Sequence, residues 1–174
     1  MSGFHDLLRS QIRREFTASQ QYTAVAVYFD SNRLPQLAKR FYLQAAEERH
    51  HALMMVQYLV DRDATVRVDG LDEIQPEFES VRAAVELALQ QEQRVTEQIQ
   101  QLAHTARAAG DYLGEQFVQW FLKEQVEEVA YMTTLLTVID RADGNLFDVE
   151  EFVARELTGA TAADPGAPRI AGGI

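Results

Sequence analysis

Apolar side chains recur at alternating spacings of three and four residues through four long segments of the chain. The segments span residues 4–32, 36–62, 77–108 and 112–141, and they are rich in Ala, Leu, Gln, Glu and Arg, which favour helices. Each segment is two to three times as long as an average helix. The pattern therefore predicts an all-α protein in which four long helices bury their apolar stripes against one another as a four-helix bundle.

Two further segments complete the predicted architecture. Residues 63–76 lack helical periodicity and are long for a connection between neighbouring helices. An extended segment of this length reaches about 46 Å, which matches the roughly 40 Å length of the second helix. We therefore expect a long crossover between helices 2 and 3. A short fifth helix is expected over residues 146–157, and its apolar side chains are expected to pack against copies of themselves at a symmetry axis: Leu146, Phe147, Val149, Phe152 and Val153.

The chain length of 174 residues fits a single domain. We place this domain at residues 1–158. The remaining segment, residues 159–174, is rich in Gly, Ala and Pro, and we expect it to form a flexible C-terminal tail.

Charge and composition exclude several classes of function. The chain has 16 Lys and Arg against 27 Asp and Glu, a formal net charge of −11, which argues against nucleic acid or an anionic membrane as a partner and favours cations. It has no cysteine, so disulfides, thiolate metal sites and a cysteine nucleophile are excluded. No apolar run reaches membrane-spanning length and no signal sequence is recognisable, so we expect a cytoplasmic protein.

Each of the four helical stripes contains a glutamate, namely Glu15, Glu48, Glu92 and Glu128. At 1.5 Å per residue, these glutamates lie about 16 to 24 Å from the starts of their helices, near the middle of the bundle. One buried carboxylate is more often a boundary salt bridge, but four at one level would repel each other and become protonated unless cations held them. In the fourth helix the same stripe is expected to include Phe117, Glu124, Tyr131 and Val138.

His51 follows Glu48 by three residues, so both side chains lie on the same helical face and can bind one metal ion. The Glu-x-x-His spacing alone is weak evidence, because Glu47 and His50 repeat it, but only Glu48 and His51 lie on the apolar stripe. Four carboxylates neutralise two divalent cations, and oxygen and nitrogen ligands suit iron or manganese. The residues therefore predict a dinuclear carboxylate site inside a four-helix bundle.

With these motifs in place, the sequence resembles the ferritin family from residue 4 to about residue 157, and in particular the non-haem ferritins of actinobacteria. The resemblance implies a ferritin-like fold that assembles into a hollow shell of 24 subunits. It implies that Fe(II) is oxidised by dioxygen or peroxide at a di-iron ferroxidase centre inside each bundle and stored as a ferric mineral. The matching stretches are residues 15–22, 27–30, 34–39, 46–51, 91–92 and 114–128.

The resemblance also implies roles for individual residues. It places a first iron site at Glu15, Glu48 and His51. It places a second iron site at Glu48, Glu92 and Glu128, with Gln125 close by. It implies a third site at Glu47, Glu124 and Glu127 with help from Glu128, although these outer glutamates would ordinarily form a solvated helix face. Tyr22 would be a nearby aromatic that gives an electron to oxygen chemistry, and the alternative is a packed tyrosine with one hydrogen bond.

Two differences from the haem-binding bacterioferritins indicate a ferritin without haem. Bacterioferritins, which bind haem, carry a methionine directly after the glutamate of the second helix, where this chain has Arg49. They also repeat Glu-x-x-His in the fourth helix, where this chain has Gln125 and Glu128.

Some ferritins of this type are carried inside a larger shell protein, so the end of the tail, residues 169–174, is a candidate address for an encapsulating shell. A plain disordered tail is the favoured alternative.

Three other classes of protein remain to be weighed. A helical scaffold or adaptor without chemistry would use the acidic stripe only to fix helix register, and it would bind no iron. A haem-binding bacterioferritin would share the fold. A small DNA-protecting relative of ferritin is disfavoured, because such proteins build the iron site between subunits and this chain carries four stripe glutamates of its own.

Overall fold

The computed structural model describes residues 3–157 and 164–173. Its four long helices are α1 (Phe4–Ser31), α2 (Pro35–Asp61), α3 (Val81–Ala108) and α4 (Tyr112–Ala142). A short α5 (Leu146–Phe152) continues into a π-helical turn at Val153–Leu157, and a 3-10 turn lies at Ala171–Gly173. Within the described ranges the structure contains no strand. The all-α fold with four long helices and a short fifth helix is confirmed.

The crossover, residues 62–80, runs along α1 from one end of the bundle to the other. Near its start, Nε of Arg9 donates to the backbone carbonyl of Thr65 at 2.7 Å. Further along, the side chain of Gln21 exchanges two hydrogen bonds of 2.8 Å with the backbone of Gln75. The crossover therefore returns the chain to the end of the bundle where α1 finishes, so that α2 and α3 run in the same direction.

The third helix begins at Val81, whereas the sequence pattern predicts a start at residue 77. Ser80 is extended, with φ −160° and ψ 163°, and its side chain accepts a hydrogen bond from the backbone N–H of Ala83. This hydrogen bond caps a helix that starts at the next residue. Residues 77–80 therefore belong to the crossover.

The buried face of α4 differs from the predicted stripe over much of its length. Buried positions include Val118, Gln125 and Met132. The predicted stripe positions Glu124 and Tyr131 are only partly buried. The predicted and observed faces share Gly114, Phe121, Glu128 and Leu135, and they differ in whether the next buried position lies three or four residues later. Both spacings lie on the same side of a helix, and packing against the other helices places Gln125 rather than Glu124 in the interior.

The fifth helix packs against its own subunit. Val149 and Val153 have no solvent exposure and join the core next to α2 and α4. The expectation that these two valines contact other copies of the chain is therefore wrong, because they cover the end of their own bundle. Phe147 is 87% exposed. Its packing at a symmetry axis stays a prediction.

The apolar core consists of two clusters, one at each end of the bundle. The cluster near α5 contains Phe29 and Phe41, and the cluster at the opposite end contains Leu8 and Phe121. Buried polar side chains lie between them. None of the described helices combines the length and apolarity needed to cross a membrane.

Candidate metal centre

A buried layer of acids separates the two apolar clusters. Its members, which we call the carboxylate layer, are Glu15, Glu48, Glu92 and Glu128 together with His51. The four glutamates come from four different helices, and they are only 1%, 2%, 1% and 8% exposed, respectively. The convergence that their heights along the helices predict is therefore present in the structure.

One part of the layer has the spacing of a metal-binding group. One ligand atom each from Glu15, Glu48 and His51 lies within 4.8 Å of the other two. Nδ1 of His51 is 3.3 Å from Oε2 of Glu48. The buried Oε2 of Glu15 has no N–H or hydroxyl donor, and the carboxyl groups of Glu15 and Glu48 are in hydrogen-bond contact with each other, so a cation can replace the proton between them. The donor set of two carboxylates and one imidazole suits iron.

The other part of the layer lies between α3 and α4. The side-chain amide of Gln125 donates to Oε2 of Glu92 at 3.2 Å and also contacts Thr96. The hydroxyl of Tyr22, on α1, donates to Oε1 of Glu92. Tyr22 is thus fully buried and in direct contact with the layer.

Two buried glutamines hold the remaining glutamates, and the sequence did not predict their contacts. The amide of Gln44 donates to Oε1 of Glu48 and to Oε2 of Glu128, each at 2.9 Å. The amide of Gln11 donates to Glu15 at 2.7 Å. Both glutamines precede a stripe glutamate by four residues, a spacing at which helical side chains meet, and this was the available signal.

Burial and mutual repulsion shift the protonation of the layer. Burial and the charge of Glu48 raise the pKa of Glu15 to about 8 and that of Glu128 to about 8. The same two causes raise the pKa of Glu92 well above its usual value. In the absence of metal, Glu15 and Glu128 are therefore largely protonated at neutral pH, and burial favours the protonated form of Glu92 in the same direction.

Glu48 and His51 behave as an ion pair. Burial alone would raise the pKa of Glu48, but the hydrogen bond and charge of His51 outweigh it and lower the pKa. Burial would lower the pKa of His51, but Glu48 outweighs that effect and raises it to about 10. Without metal, Glu48 therefore stays ionised beside the imidazolium of His51 at neutral pH, and cations must displace protons from the layer to bind.

A cavity between α2 and α4 opens onto the layer, and the three outer glutamates line it: Glu47, Glu124 and Glu127. Glu127 is exposed and Glu124 is half-buried. The guanidinium of Arg40 lies 3.4 Å from Glu47 and stacks 4.4 Å from the ring centre of Tyr131. The third iron site stays a prediction, and Arg40 places a positive charge beside it.

Part of the C-terminal segment also borders this cavity. Asp164 accepts a hydrogen bond from Nε1 of Trp120 at 3.0 Å, and Ala167 and Ile170 line the cavity wall. Residues 164–173 are thus in contact with α2 and α4, which the expectation of a flexible tail did not include. Residues 159–163 and residue 174 lie outside the described residues, and the division of the chain at residue 158 stays a prediction.

A family model described as a ferritin-like domain matches residues 5–142. This chain belongs to the ferritin family. It is 63% identical over 170 residues to "Ferritin BfrB" of Mycolicibacterium smegmatis, covering 98% of this chain and 93% of the relative. It is 59% identical, with the same coverage, to the protein named "Bacterioferritin BfrB" in Mycobacterium tuberculosis. The resemblance to actinobacterial ferritins is therefore confirmed.

More distant relatives agree with this ferritin assignment. A "Bacterial non-heme ferritin" of Staphylococcus aureus is 34% identical over 78% of this chain and 82% of the relative. An open pore ferritin from the archaeon Archaeoglobus fulgidus superposes with a TM-score of 0.83 at 29% identity, covering 88% of this chain and 97% of that one. The names of the relatives include both ferritin and bacterioferritin, so they leave the expected absence of haem a prediction.

Proposed function

We propose that this ferritin oxidises Fe(II) at a di-iron ferroxidase centre within each subunit and stores the ferric product as mineral in a hollow 24-subunit shell. The observation that supports this most is the carboxylate layer, in which four glutamates and one histidine of one chain are buried side by side. Among the described residues His51 is a member of this layer, and Arg40 acts on it from outside through Gln44. Such a group is unfavourable in a purely structural role.

The proposed first iron site consists of Glu15, Glu48 and His51. The proposed second site consists of Glu48, Glu92 and Glu128, with Gln125 as a neutral neighbour. Glu48 is the bridge in this proposal, because its Oε2 faces His51 while its Oε1 shares the Gln44 amide with Glu128.

Iron is the substrate of the proposed reaction. Two Fe(II) ions each give one electron to dioxygen, which takes up two protons and leaves as hydrogen peroxide, and both ions become Fe(III). Protons that leave the glutamates when iron binds are available for this step. The carboxylates then stabilise the higher charge of Fe(III), for which hard oxygen ligands are suited.

Tyr22 is proposed as an auxiliary electron donor. Its hydroxyl donates to Glu92, and burial together with the charge of Glu92 raises its pKa well above the usual value. It therefore stays a neutral phenol, whose proton can pass to Glu92 when an electron leaves the ring. The outer glutamates Glu47, Glu124 and Glu127 are proposed to receive iron that leaves the centre.

A haem-binding bacterioferritin is the second candidate, because one relative carries that name. Position 49 holds an arginine and not a methionine, so no thioether is available there to bind haem iron. The Arg49 side chain is exposed, and its guanidinium lies 5.7 Å from the ring centre of Phe16. We therefore expect purified protein to lack the intense near-ultraviolet absorption band of haem. A stoichiometric haem band after expression with added haem precursor would favour the second candidate.

The proposed storage function is tested by loading the purified protein with Fe(II) in air. We expect sedimentation velocity to show one large species before loading and a denser species of the same outer size afterwards. A stable monomer, or a protein that leaves the added iron as free precipitate, would instead favour a helical scaffold.

No comparison supports an encapsulating shell protein, and this partner and the cytoplasmic location stay predictions.

A further inference from the structure

Gln44 joins two glutamates of the carboxylate layer that belong to different helices. Its amide nitrogen lies 2.9 Å from Oε1 of Glu48 on α2 and 2.9 Å from Oε2 of Glu128 on α4. The side chain of Gln44 is fully buried. Its two N–H groups are thus both used, one on each carboxylate.

Arg40 fixes the direction of this amide. Its Nη2 donates to Oε1 of Gln44 at 2.9 Å. A guanidinium can only donate hydrogen bonds, so the amide oxygen must face Arg40 and the NH₂ group must face the glutamates. Arg40 itself is held by Glu47 and by the ring of Tyr131.

We propose that Gln44 is a positioning residue of the di-iron centre, which holds the carboxylates of Glu48 and Glu128 at a fixed separation before any metal ion arrives. This inference rests on the proposed function. Without the amide, two buried carboxyl oxygens would lack a donor, and each group would rotate to find another partner. A metal ion would then have to reorganise both ligands on binding.

The test uses Co(II), which stays divalent when bound by oxygen and nitrogen ligands in air-saturated buffer. Its visible absorption reports the geometry of the ligands. The variant is Gln44→Met, which keeps the length of the side chain but cannot donate. Loss of an outer partner of a metal ligand costs about 10- to 100-fold in metal affinity. We expect a loss of this size in Co(II) affinity and a changed visible spectrum.

A matched control is Gln21→Met. Gln21 is also buried, and its side chain makes two hydrogen bonds, both to the backbone of Gln75 in the crossover. The side chain of Gln44 makes three, of which two reach glutamates and one comes from Arg40. The control therefore removes buried side-chain hydrogen bonds without touching a glutamate of the layer. We expect its Co(II) affinity and spectrum to match those of the wild type.

Wild-type Co(II) affinity and spectrum in Gln44→Met would overturn the positioning role, while leaving the iron site itself intact. If the wild type binds no Co(II) in the layer, the proposed function fails, and the inference falls with it. A crystal structure of the metal-free wild type gives a test that does not depend on the variant folding. We expect Nε2 of Gln44 within about 3.2 Å of both carboxylates; carboxylates turned away from Gln44 would overturn the proposal.

Discussion

The protonation of single residues determines how tightly this protein binds a cation at a given pH. Glu15 and Glu128 each have a pKa of about 8, so both are largely protonated at neutral pH without metal. Since a metal ion binds the ionised form, binding should release protons and weaken as the pH falls. We predict that Zn(II) affinity rises as the pH is raised towards 8. Calorimetry in two buffers of different ionisation enthalpy measures the released protons, and an affinity that does not change with pH would contradict this account.

The same two groups predict how stability depends on pH. Their pKa is higher in the folded protein than the ordinary value of 4.5, so the stability that they contribute is complete below 4.5 and is lost as the pH rises through about 8. Zn(II) restores this lost stability, because it neutralises the buried carboxylates after their protons have left. We predict that Zn(II) raises the unfolding temperature more at about pH 8 than at about pH 6. An equal rise at both values would mean that neither carboxyl group is protonated in the folded protein.

Helix spacing could predict which residues enter the layer, but not every contact within it. The four glutamates and His51 could be found because each lies on an apolar stripe at a similar height. The contact of Gln44 with Glu128 joins residues 84 positions apart, and no local spacing contains that information. The position of Gln125 was also missed as part of the buried face, because the positions three and four residues after Phe121 both lie close to the stripe, and only packing against the other helices selects one of them.

At the scale of the elements, α5 is joined to α2 by a carboxylate. Oε2 and Oε1 of Glu150 accept hydrogen bonds of 2.9 Å from the backbone N–H groups of Gln36 and Leu37. Because α2 begins at Pro35, which has no N–H, these are the first free donors of the helix. An acidic group at this position also interacts favourably with the helix dipole.

Replacing Glu150 with alanine should therefore weaken the start of α2 and the attachment of α5 together. We predict that the free energy of unfolding falls by about 1 to 2 kcal/mol, as for the loss of a helix cap. Urea unfolding followed by circular dichroism measures this change. The control is Glu151→Ala, an exposed neighbour on the same helix. Equal stability of the two variants would show that the cap contributes nothing.

At the scale of the whole molecule, the proposed shell requires a surface that other copies of the chain can cover. Phe147 is 87% exposed on α5, whereas Val149 of the same helix is buried in its own bundle. Burying a phenylalanine contributes about 1.5 to 3 kcal/mol per subunit. We predict that Phe147→Asp shifts the protein to smaller assemblies with unchanged helix content. Sedimentation velocity measures the shift, and a full-size shell in this variant would place Phe147 outside the subunit contacts.

The most direct test of the central claim is the rate of Fe(II) oxidation at two Fe(II) per subunit, followed by stopped-flow absorbance. Glu48 is the proposed bridge between both iron sites, whereas Glu127 is exposed and outside the carboxylate layer. The account predicts that Glu48→Ala slows the fast phase by more than the roughly 10- to 100-fold that loss of an outer partner costs, and that Glu127→Ala slows it far less. A fast phase in Glu48→Ala equal to that of the wild type would contradict an iron centre inside the subunit.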